Sequence, residues 1–435
     1  MRGMKFGLMV LAATLLIFAL GGLAYAFHTG GVAECTGCHS MHSPKDLATG
    51  ALLIATDPSS VCLSCHQQTG LANPSSYHVS TAETDMPTGV PPKQRTPGGD
   101  FGWLKKTYTY VVRSSTTVEN GQTHGHNINA ADFNYVTDTD NPTAPGGSFP
   151  SNQLGCPSCH DQHGNYRRLP NGTVSTQGGP IIASGSYNTS PGNSAANPIP
   201  AGQAVGVFRL LRGNGSTVQN VTFGGVPAAV APSTYNQTEN PNQVRVAYGV
   251  ATAGGHESWG QWCATCHPAM HSNGNYVHPI DTTLSPTLVT NYNSYVSSGN
   301  LSGSFQAGQG PFLSLVPFMS NTGDYTVLGG LASNNPSGAQ LNGPQAGDQV
   351  SCPSCHRAHA TEWPDMLRWN MGAEFITYVN AAGAAVWPGT DTTPSAPQYA
   401  AGRNSTETAA GYYDRLVTVF GPYQRMLCNK CHAQD

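Results

Sequence analysis

The chain has 435 residues, a formal net charge of −4 at pH 7 and only 10% charged residues. Because 19 basic residues stand against 23 acidic ones, the chain lacks the positive charge that a nucleic-acid partner requires. The 51 glycines and 32 prolines disfavour long helices and central strands, whereas 13 Phe, 18 Tyr and 6 Trp argue against a disordered coil. Something other than regular secondary structure must therefore organise the core.

The first residues have the pattern of a secretory signal peptide. Arg2 and Lys5 precede an apolar run that ends in small residues at Ala26. This run is shorter than the roughly 20 residues that a membrane-spanning helix needs. We expect residues 1–26 to be removed during export through the periplasm, and residues 27–435 to form one unit at the outer cell surface or outside the cell.

All 12 cysteines lie in Cys-x-x-Cys pairs that are followed directly by a histidine. The pairs are Cys35 and Cys38, Cys62 and Cys65, Cys156 and Cys159, Cys263 and Cys266, Cys352 and Cys355, and Cys428 and Cys431. The histidines that follow them are His39, His66, His160, His267, His356 and His432. Two thiols at this spacing add to the vinyl groups of a haem, and the adjacent histidine becomes the proximal ligand of its iron. The pattern predicts six haem c groups.

Three other roles of paired cysteines were weighed against haem attachment. A disulfide framework, zinc sites and a thioredoxin-like redox pair all use cysteine pairs. None of them requires a histidine after every second cysteine, and only 16 of the 435 residues are histidine. Haem attachment therefore explains the pattern better than the three together.

The other histidines outnumber the distal positions of six irons. We expect the distal ligands among His42, His78, His126, His163, His271, His278 and His359, with His28 as a further candidate after these. His124 and His256 are expected to make hydrogen bonds instead, and Met41 and Met270 are competing ligands. Irons with two histidine ligands exchange electrons but bind no substrate, so the count favours electron transfer over catalysis.

Three of these candidates stand close behind an attachment motif. His42, His163 and His359 each follow a proximal histidine by three residues. A side chain so near lies on the proximal side of its own haem and cannot reach the opposite face. Each is therefore expected to ligate the haem of a different motif or to play another role.

Between the motifs the sequence indicates loops with short elements. Residues 108–113 and 207–212 are rich in β-branched and aromatic residues, which predicts two strands. A capping box of Asn404 and Glu407 predicts a helix that continues through Phe420. We therefore expect a mostly irregular fold with short helices and few short strands, organised around six stacked haems, and largely disordered without them.

Several longer strings carry a family resemblance over nearly the whole chain. They include FHTGGVAECTGCHSMH at residues 27–42, PSSYHVSTAETDMP at 74–87, TPGGDFGWLKKTYTY at 96–110 and PYQRMLCNKCHAQD at the end. The chain resembles the filament-forming hexahaem outer-surface cytochromes of metal-reducing bacteria. His124 and the GGHES segment around His256 depart from the family pattern.

The resemblance implies a filament of head-to-tail subunits that carries electrons to external acceptors such as metal oxides. It also implies that His42 ligates a haem of the adjacent subunit, and an open head-to-tail contact does produce helical filaments. A monomeric secreted electron shuttle and a multihaem reductase with one catalytic iron are the alternatives that the sequence leaves open.

Overall fold

The structure is a computed structural model that describes residues 35–46, 50–68, 77–232, 243–250, 255–272, 278–306, 308–392 and 397–433. Turns and irregular segments dominate this part of the chain, as the composition predicted. None of its helices has the length and apolar character needed to cross a membrane. The expected signal peptide and His28 lie outside the described residues.

The helices are short, and several of them carry an attachment motif. They are α1 (Cys35–Cys38), α2 (Pro58–His66), α3 (Cys156–Cys159), α4 (Trp259–Ala264), α5 (Pro268–Ser272), α6 (Pro286–Ser294), α7 (Tyr325–Leu331), α8 (Cys352–Cys355), α9 (Pro397–Ala400), α10 (Ser405–Gly411) and α11 (Asn429–His432). Single 3₁₀ turns, such as Phe101–Lys105 and Gly121–His124, lie between them.

The strands form small separate sheets. They are β1 (Gln67–Gln68), β2 (Ser80–Thr81), β3 (Tyr108–Val112), β4 (Ser115–Glu119), β5 (Arg167–Arg168), β6 (Val174–Ser175), β7 (Val205–Gly206), β8 (Thr217–Val218), β9 (Val221–Thr222), β10 (Val226–Val230), β11 (Ala247–Gly249), β12 (His256–Glu257), β13 (Met319–Ser320), β14 (Tyr378–Val379) and β15 (Ala385–Val386). One sheet has four strands in the order β12-β10-β11-β13, and β10 is buried along its whole length.

The strand predicted at residues 108–113 is present as β3. It pairs with β4 in an antiparallel hairpin whose two turn residues, Arg113 and Ser114, have φ angles of 49° and 66°. Two successive positive φ angles are the mark of a type I′ turn, whose twist matches that of the flanking strands.

The strand predicted at residues 207–212 is wrong. The structure has a 3₁₀ turn there, Phe208–Leu210, directly after the short strand β7. Arg209 and Leu210 both have φ angles of 53°, which is incompatible with an extended strand. The turn has a use, because the Arg209 carbonyl accepts a hydrogen bond from the His160 imidazole, 2.7 Å away.

The predicted capping box is confirmed, but the predicted length of its helix is wrong. The Asn404 side chain accepts a hydrogen bond from the Glu407 amide, and the Glu407 side chain accepts one from the Asn404 amide. The helix α10 ends at Gly411 instead of continuing through Phe420. Tyr413 and Asp414 have positive φ angles, so the chain leaves the helical path there.

Buried aromatic side chains are divided among several small clusters, and these clusters pack on the attachment cysteines. One cluster surrounds Trp363, Trp369 and Tyr412 and packs against Cys355 and Cys428. A second surrounds Phe208, Phe223, Trp259 and Trp262 and packs against Cys159 and Cys263. The apolar side chains thus face the positions where the haem macrocycles are expected.

Candidate haem-binding sites

Each attachment motif is held by a backbone hydrogen bond across one helical turn. The histidine amide donates to the carbonyl of the first cysteine at distances of 2.8–3.1 Å, for His39, His160, His267, His356 and His432. Residues three and four positions apart lie on the same side of a helical turn. The two thiols and the imidazole of a motif therefore point towards the same space, as attachment to one haem requires.

The proximal imidazoles are oriented by backbone carbonyls. Nδ1 donates to the carbonyl oxygens of Ala51, Tyr77, Arg209, Pro145 and Asp365, at 2.7–2.9 Å, from His39, His66, His160, His267 and His356 respectively. Because a carbonyl oxygen only accepts, the proton must be on Nδ1. The lone pair of Nε2 is then available to a metal, which is the usual arrangement of a metal-binding histidine.

Four proximal imidazoles lie opposite a second imidazole at a constant separation. The ring centroids are 6.4 Å apart for His39 and His163, 6.5 Å for His160 and His359, 6.1 Å for His267 and His126, and 6.2 Å for His432 and His278. A metal–imidazole bond of about 2 Å on each side, with about 1 Å from each nitrogen to its ring centre, gives about 6 Å. These pairs have the spacing that two axial ligands of one iron require.

His66 and His78 form a fifth neighbouring pair. Burial and the adjacent His66 lower the pKa of His78. The Nδ1 atom of His78 is buried and has no hydrogen-bond partner among the described residues. A buried nitrogen without a hydrogen-bond partner lowers the stability of the fold. The His78 ring is therefore expected to bind a group that does not belong to the protein chain.

Two of the second imidazoles are kept neutral by burial. Burial and the nearby His267 lower the pKa of His126 to about 4, and burial and the nearby His160 lower the pKa of His359 to about 3. Metal ligation uses the neutral imidazole. Both rings are therefore in the ligating form at neutral pH.

The six motifs follow one another in space in the order in which they follow one another in the chain. Neighbouring thiols lie close enough for hydrogen bonding or for interaction between their charges. These thiol pairs are Cys38 with Cys62, Cys62 with Cys156, Cys159 with Cys266, Cys263 with Cys352, and Cys355 with Cys428. Six haems attached to these thiols would form one continuous row.

Burial keeps most of these thiols protonated. Burial and the nearby Cys266 raise the pKa of Cys159 to about 12, and burial and the nearby Cys428 raise the pKa of Cys355 to about 12. Zinc ligands and redox-active pairs need accessible thiolates. Among the described residues there is also no group of three or more Cys, His, Asp or Glu side chains that would hold a metal ion.

Not every candidate distal histidine lies opposite another imidazole. The His42 side chain is exposed. His271 lies with Nε2 3.0 Å from the carboxylate of Asp281, which also accepts a hydrogen bond from Ser258. Sequence reasoning missed Asp281, because no local pattern links it to a histidine ten residues away.

His124, which was expected to be a hydrogen-bonding residue, is completely buried. Its Nε2 lies 2.8 Å from the Glu119 carboxylate and its Nδ1 lies 3.1 Å from the Trp103 carbonyl. Both ring nitrogens therefore have protein partners. His256 lies on β12, and its side chain is outside the described part of the structure.

The residues present fit haem c. Each thiol pair shares one helical turn with its histidine, and five of the six proximal rings present Nε2. In four cases a second imidazole lies at the distance of a shared metal. The buried aromatic clusters supply apolar contacts for the macrocycles. The number of haems and the assignment of each ligand remain predictions.

Comparisons with known proteins give the same result. No protein-family model matches the chain. The C-type cytochrome OmcS of Geobacter sulfurreducens is 47% identical over an alignment of 455 positions that spans both chains completely. Two solved structures, of OmcS nanowires by cryo-electron microscopy and of the outer membrane cytochrome S filament, come from the same organism.

The two solved structures are 45% and 46% identical to this chain and have TM-scores of 0.81 and 0.82. Each comparison covers 94% of this chain and all of the solved chain. Identity of this level over the full length confirms the resemblance expected from the motifs. The chain belongs to the family of OmcS-like c-type cytochromes.

Proposed function

We propose that the chain is an electron-transfer protein that carries six haem c groups and assembles into an extracellular filament. When bound, each haem supplies a one-electron redox centre. The alternative of a reductase would require an iron that keeps an open ligand position. The paired imidazoles favour electron transfer, because two histidines would hold each iron and would leave no position for a substrate.

The observation that carries the proposal is the interlaced pairing of histidines along one row of motifs. His163 follows the third motif but lies opposite His39 of the first, and His359 follows the fifth but lies opposite His160 of the third. Each such pair binds two motifs together. The two pairs thereby hold the whole row of attachment sites together at short range, which rapid electron transfer requires.

The proximal His356 supports a filament. Its Nδ1 donates to the Asp365 carbonyl, so its Nε2 points away from that contact. The nearby imidazoles of His267 and His126 lie opposite each other instead. His42 is exposed near the start of the described residues. We propose that His42 of one subunit ligates the His356 haem of the next, so that assembly completes the last ligand pair.

The same geometry assigns the other distal ligands. We propose His163, His78, His359, His126 and His278 as the partners of His39, His66, His160, His267 and His432 respectively. His271, bound to Asp281, is then not needed as an iron ligand. His28 is the further candidate for the partner of His356.

The proposal also covers the location of the protein and the acceptors of its electrons. Residues 1–26 are removed during export, and residues 27–435 form one unit that functions at the outer cell surface. Its partners are further copies of the same chain and external electron acceptors such as metal oxides. The similarity to the OmcS nanowires and to the outer membrane cytochrome S filament supports this location.

The test is electron microscopy of haem-loaded protein sheared from the cell surface, for the wild type, His42→Ala and Ser43→Ala. Ser43 is an exposed neighbour of His42, so its replacement controls for a change at this surface. We expect six haems per chain, long filaments for the wild type and Ser43→Ala, and short or no filaments for His42→Ala. Isolated particles of the wild type would instead indicate a soluble carrier.

A further inference from the structure

Four polar side chains meet where the hairpin β3–β4 packs against the segment after the fifth motif. Three of them, His124, Glu362 and Arg403, are fully buried, and the fourth, Glu119, is partly buried; together they are here called the Arg403 network. We infer that the Arg403 network positions the imidazoles of His126 and His359. This inference rests on the proposed function, in which these two rings are distal ligands of neighbouring haems.

Three chain segments cross beside the network, and the two imidazoles project from this crossing. Ala360 forms β-bridges with both Gly99 and Gly125. The His126 amide donates to the His359 carbonyl at 2.9 Å, and the His126 ring donates to the Ala358 carbonyl at 2.7 Å. The two ligand-bearing segments are therefore bonded directly to each other, and a shift of one moves both rings.

The three backbone segments pack tightly against one another at the crossing. A Cβ atom on Gly125 would lie 2.4 Å from the His359 carbonyl oxygen, and one on Gly99 would lie 1.8 Å from that of Ala360. The backbones approach so closely that only glycine fits at both positions. The positions of His126 and His359 thus depend on where the three backbones lie.

Arg403 connects the network to the segment that contains His359 and Glu362. Its Nη2 donates to the Glu362 carbonyl oxygen at 2.6 Å, and its Nε lies 3.0 Å from the Glu362 carboxylate. The guanidinium lies over the Tyr108 ring, 4.0 Å from the centroid. One planar cation thereby fixes the backbone three residues after His359.

His124 connects the network to the segment that contains Gly125 and His126. Its carbonyl accepts a hydrogen bond from the Thr361 amide at 3.0 Å, and its ring is fixed between Glu119 and the Trp103 carbonyl. Glu119 also contacts Arg403. The carboxylate of Glu119 therefore joins the anchors of the two segments, one at residue 124 and the other at residue 362.

Burial strengthens the hydrogen bonds of the Arg403 network. Arg403, Glu362 and His124 are each 0% exposed, so water does not compete for their hydrogen bonds. Buried ion pairs add little net stability, and their best-attested role is to specify one arrangement. Arg403 and Glu119 therefore act as positioning residues for ligands that they do not touch.

The test compares Arg403→Lys with Arg245→Lys in the haem-loaded protein. Lysine keeps the charge but lacks the planar fork that reaches both Glu119 and Glu362. Arg245 is a matched control, because it is 4% exposed and donates to the carbonyls of Gln340 and Asn342, away from the crossing. Glu119→Gln is the second variant and removes the charge at the other end of the network.

The readout is the spin state of the oxidised haems, measured by electron paramagnetic resonance and by near-infrared absorption. We expect Arg403→Lys and Glu119→Gln to gain high-spin signal from up to two of the six haems, while Arg245→Lys stays low-spin. Low-spin haems in both network variants would overturn the inference. High-spin haems in assembled wild-type filaments, where His42 would complete the last ligand pair, would overturn the proposed function instead.

Discussion

Replacing Gly125 by alanine tests the packing of the crossing directly. Gly125 has a φ of 178°, which is extended backbone open to any residue, so the replacement introduces no backbone strain of its own. The new Cβ would lie 2.4 Å from the His359 carbonyl oxygen and 2.5 Å from the Ala360 Cβ. Relief of these contacts requires the two segments to separate by about 1 Å, since ordinary carbon contacts lie near 3.5 Å.

The change in the free energy of unfolding follows from two destabilising contributions and one stabilising contribution. Overpacking of this kind costs about 1–3 kcal/mol, and the backbone hydrogen bond between His126 and His359 that it strains contributes about 1 kcal/mol. Alanine lowers the entropy of the unfolded chain, which returns about 0.4–1 kcal/mol. We expect Gly125→Ala to lower the free energy of unfolding by about 2 kcal/mol, within a range of about 1–4 kcal/mol.

Gly172→Ala is the matched control for this prediction. Gly172 has a φ of 80° and nothing within 4 Å of the Cβ position, so its replacement meets backbone strain without a clash. Strain of about 1–2 kcal/mol there is partly offset by the same entropy contribution. The assay is guanidinium denaturation of the haem-loaded protein, followed by circular dichroism. Equal denaturation midpoints for the two variants would refute the close approach of the backbones.

Three further predictions follow from the sites and from the surface. The haem-free chain is expected to give the circular-dichroism spectrum of a largely disordered protein, and a folded spectrum would contradict the view that haems form the core. His163→Ala is expected to make the His39 haem high-spin, whereas His271→Ala leaves all haems low-spin because Asp281 already holds that ring. The hydrogen bond from Thr56 lowers the pKa of Asp132, so the stability it provides is present above the usual carboxyl pKa and is lost as the pH falls through the lower folded-state pKa. Acid denaturation profiles of the wild type and Thr56→Val should therefore differ at neutral pH and converge in acid.

Local sequence patterns predicted features that depend on neighbouring residues alone. Each attachment motif needs only one helical turn, and the capping box of Asn404 and Glu407 closes within four residues. The hairpin strand β3 followed from β-branched and aromatic residues. The prediction at residues 207–212 failed because composition does not reveal that Arg209 turns back to meet His160.

The pairing of histidines was beyond local reasoning. His359 lies opposite His160, and His126 opposite His267, across more than a hundred residues in each case. Such contacts are decided by the tertiary fold, which hydrophobic periodicity describes only where helices and strands are long. The buried charges of Arg403 and Glu362 were equally invisible, since charged residues read as surface residues in a sequence.

The interlaced pairs explain how a chain with so little regular structure holds one fold. A haem attached to Cys156 and Cys159 and held between His160 and His359 would act as a cross-link that closes a long loop. The entropy cost of closing a loop grows slowly with its length, so a few strong ligand bonds offset the ordering of long irregular segments. The segments themselves then need only to satisfy their backbone groups and to position ligands, which glycine-rich crossings such as that of Gly99 and Gly125 do at close range. In the proposed assembly the same ligand bonds would stabilise the fold and set the distances between haems, so a loss of ligation should impair stability and electron transfer together.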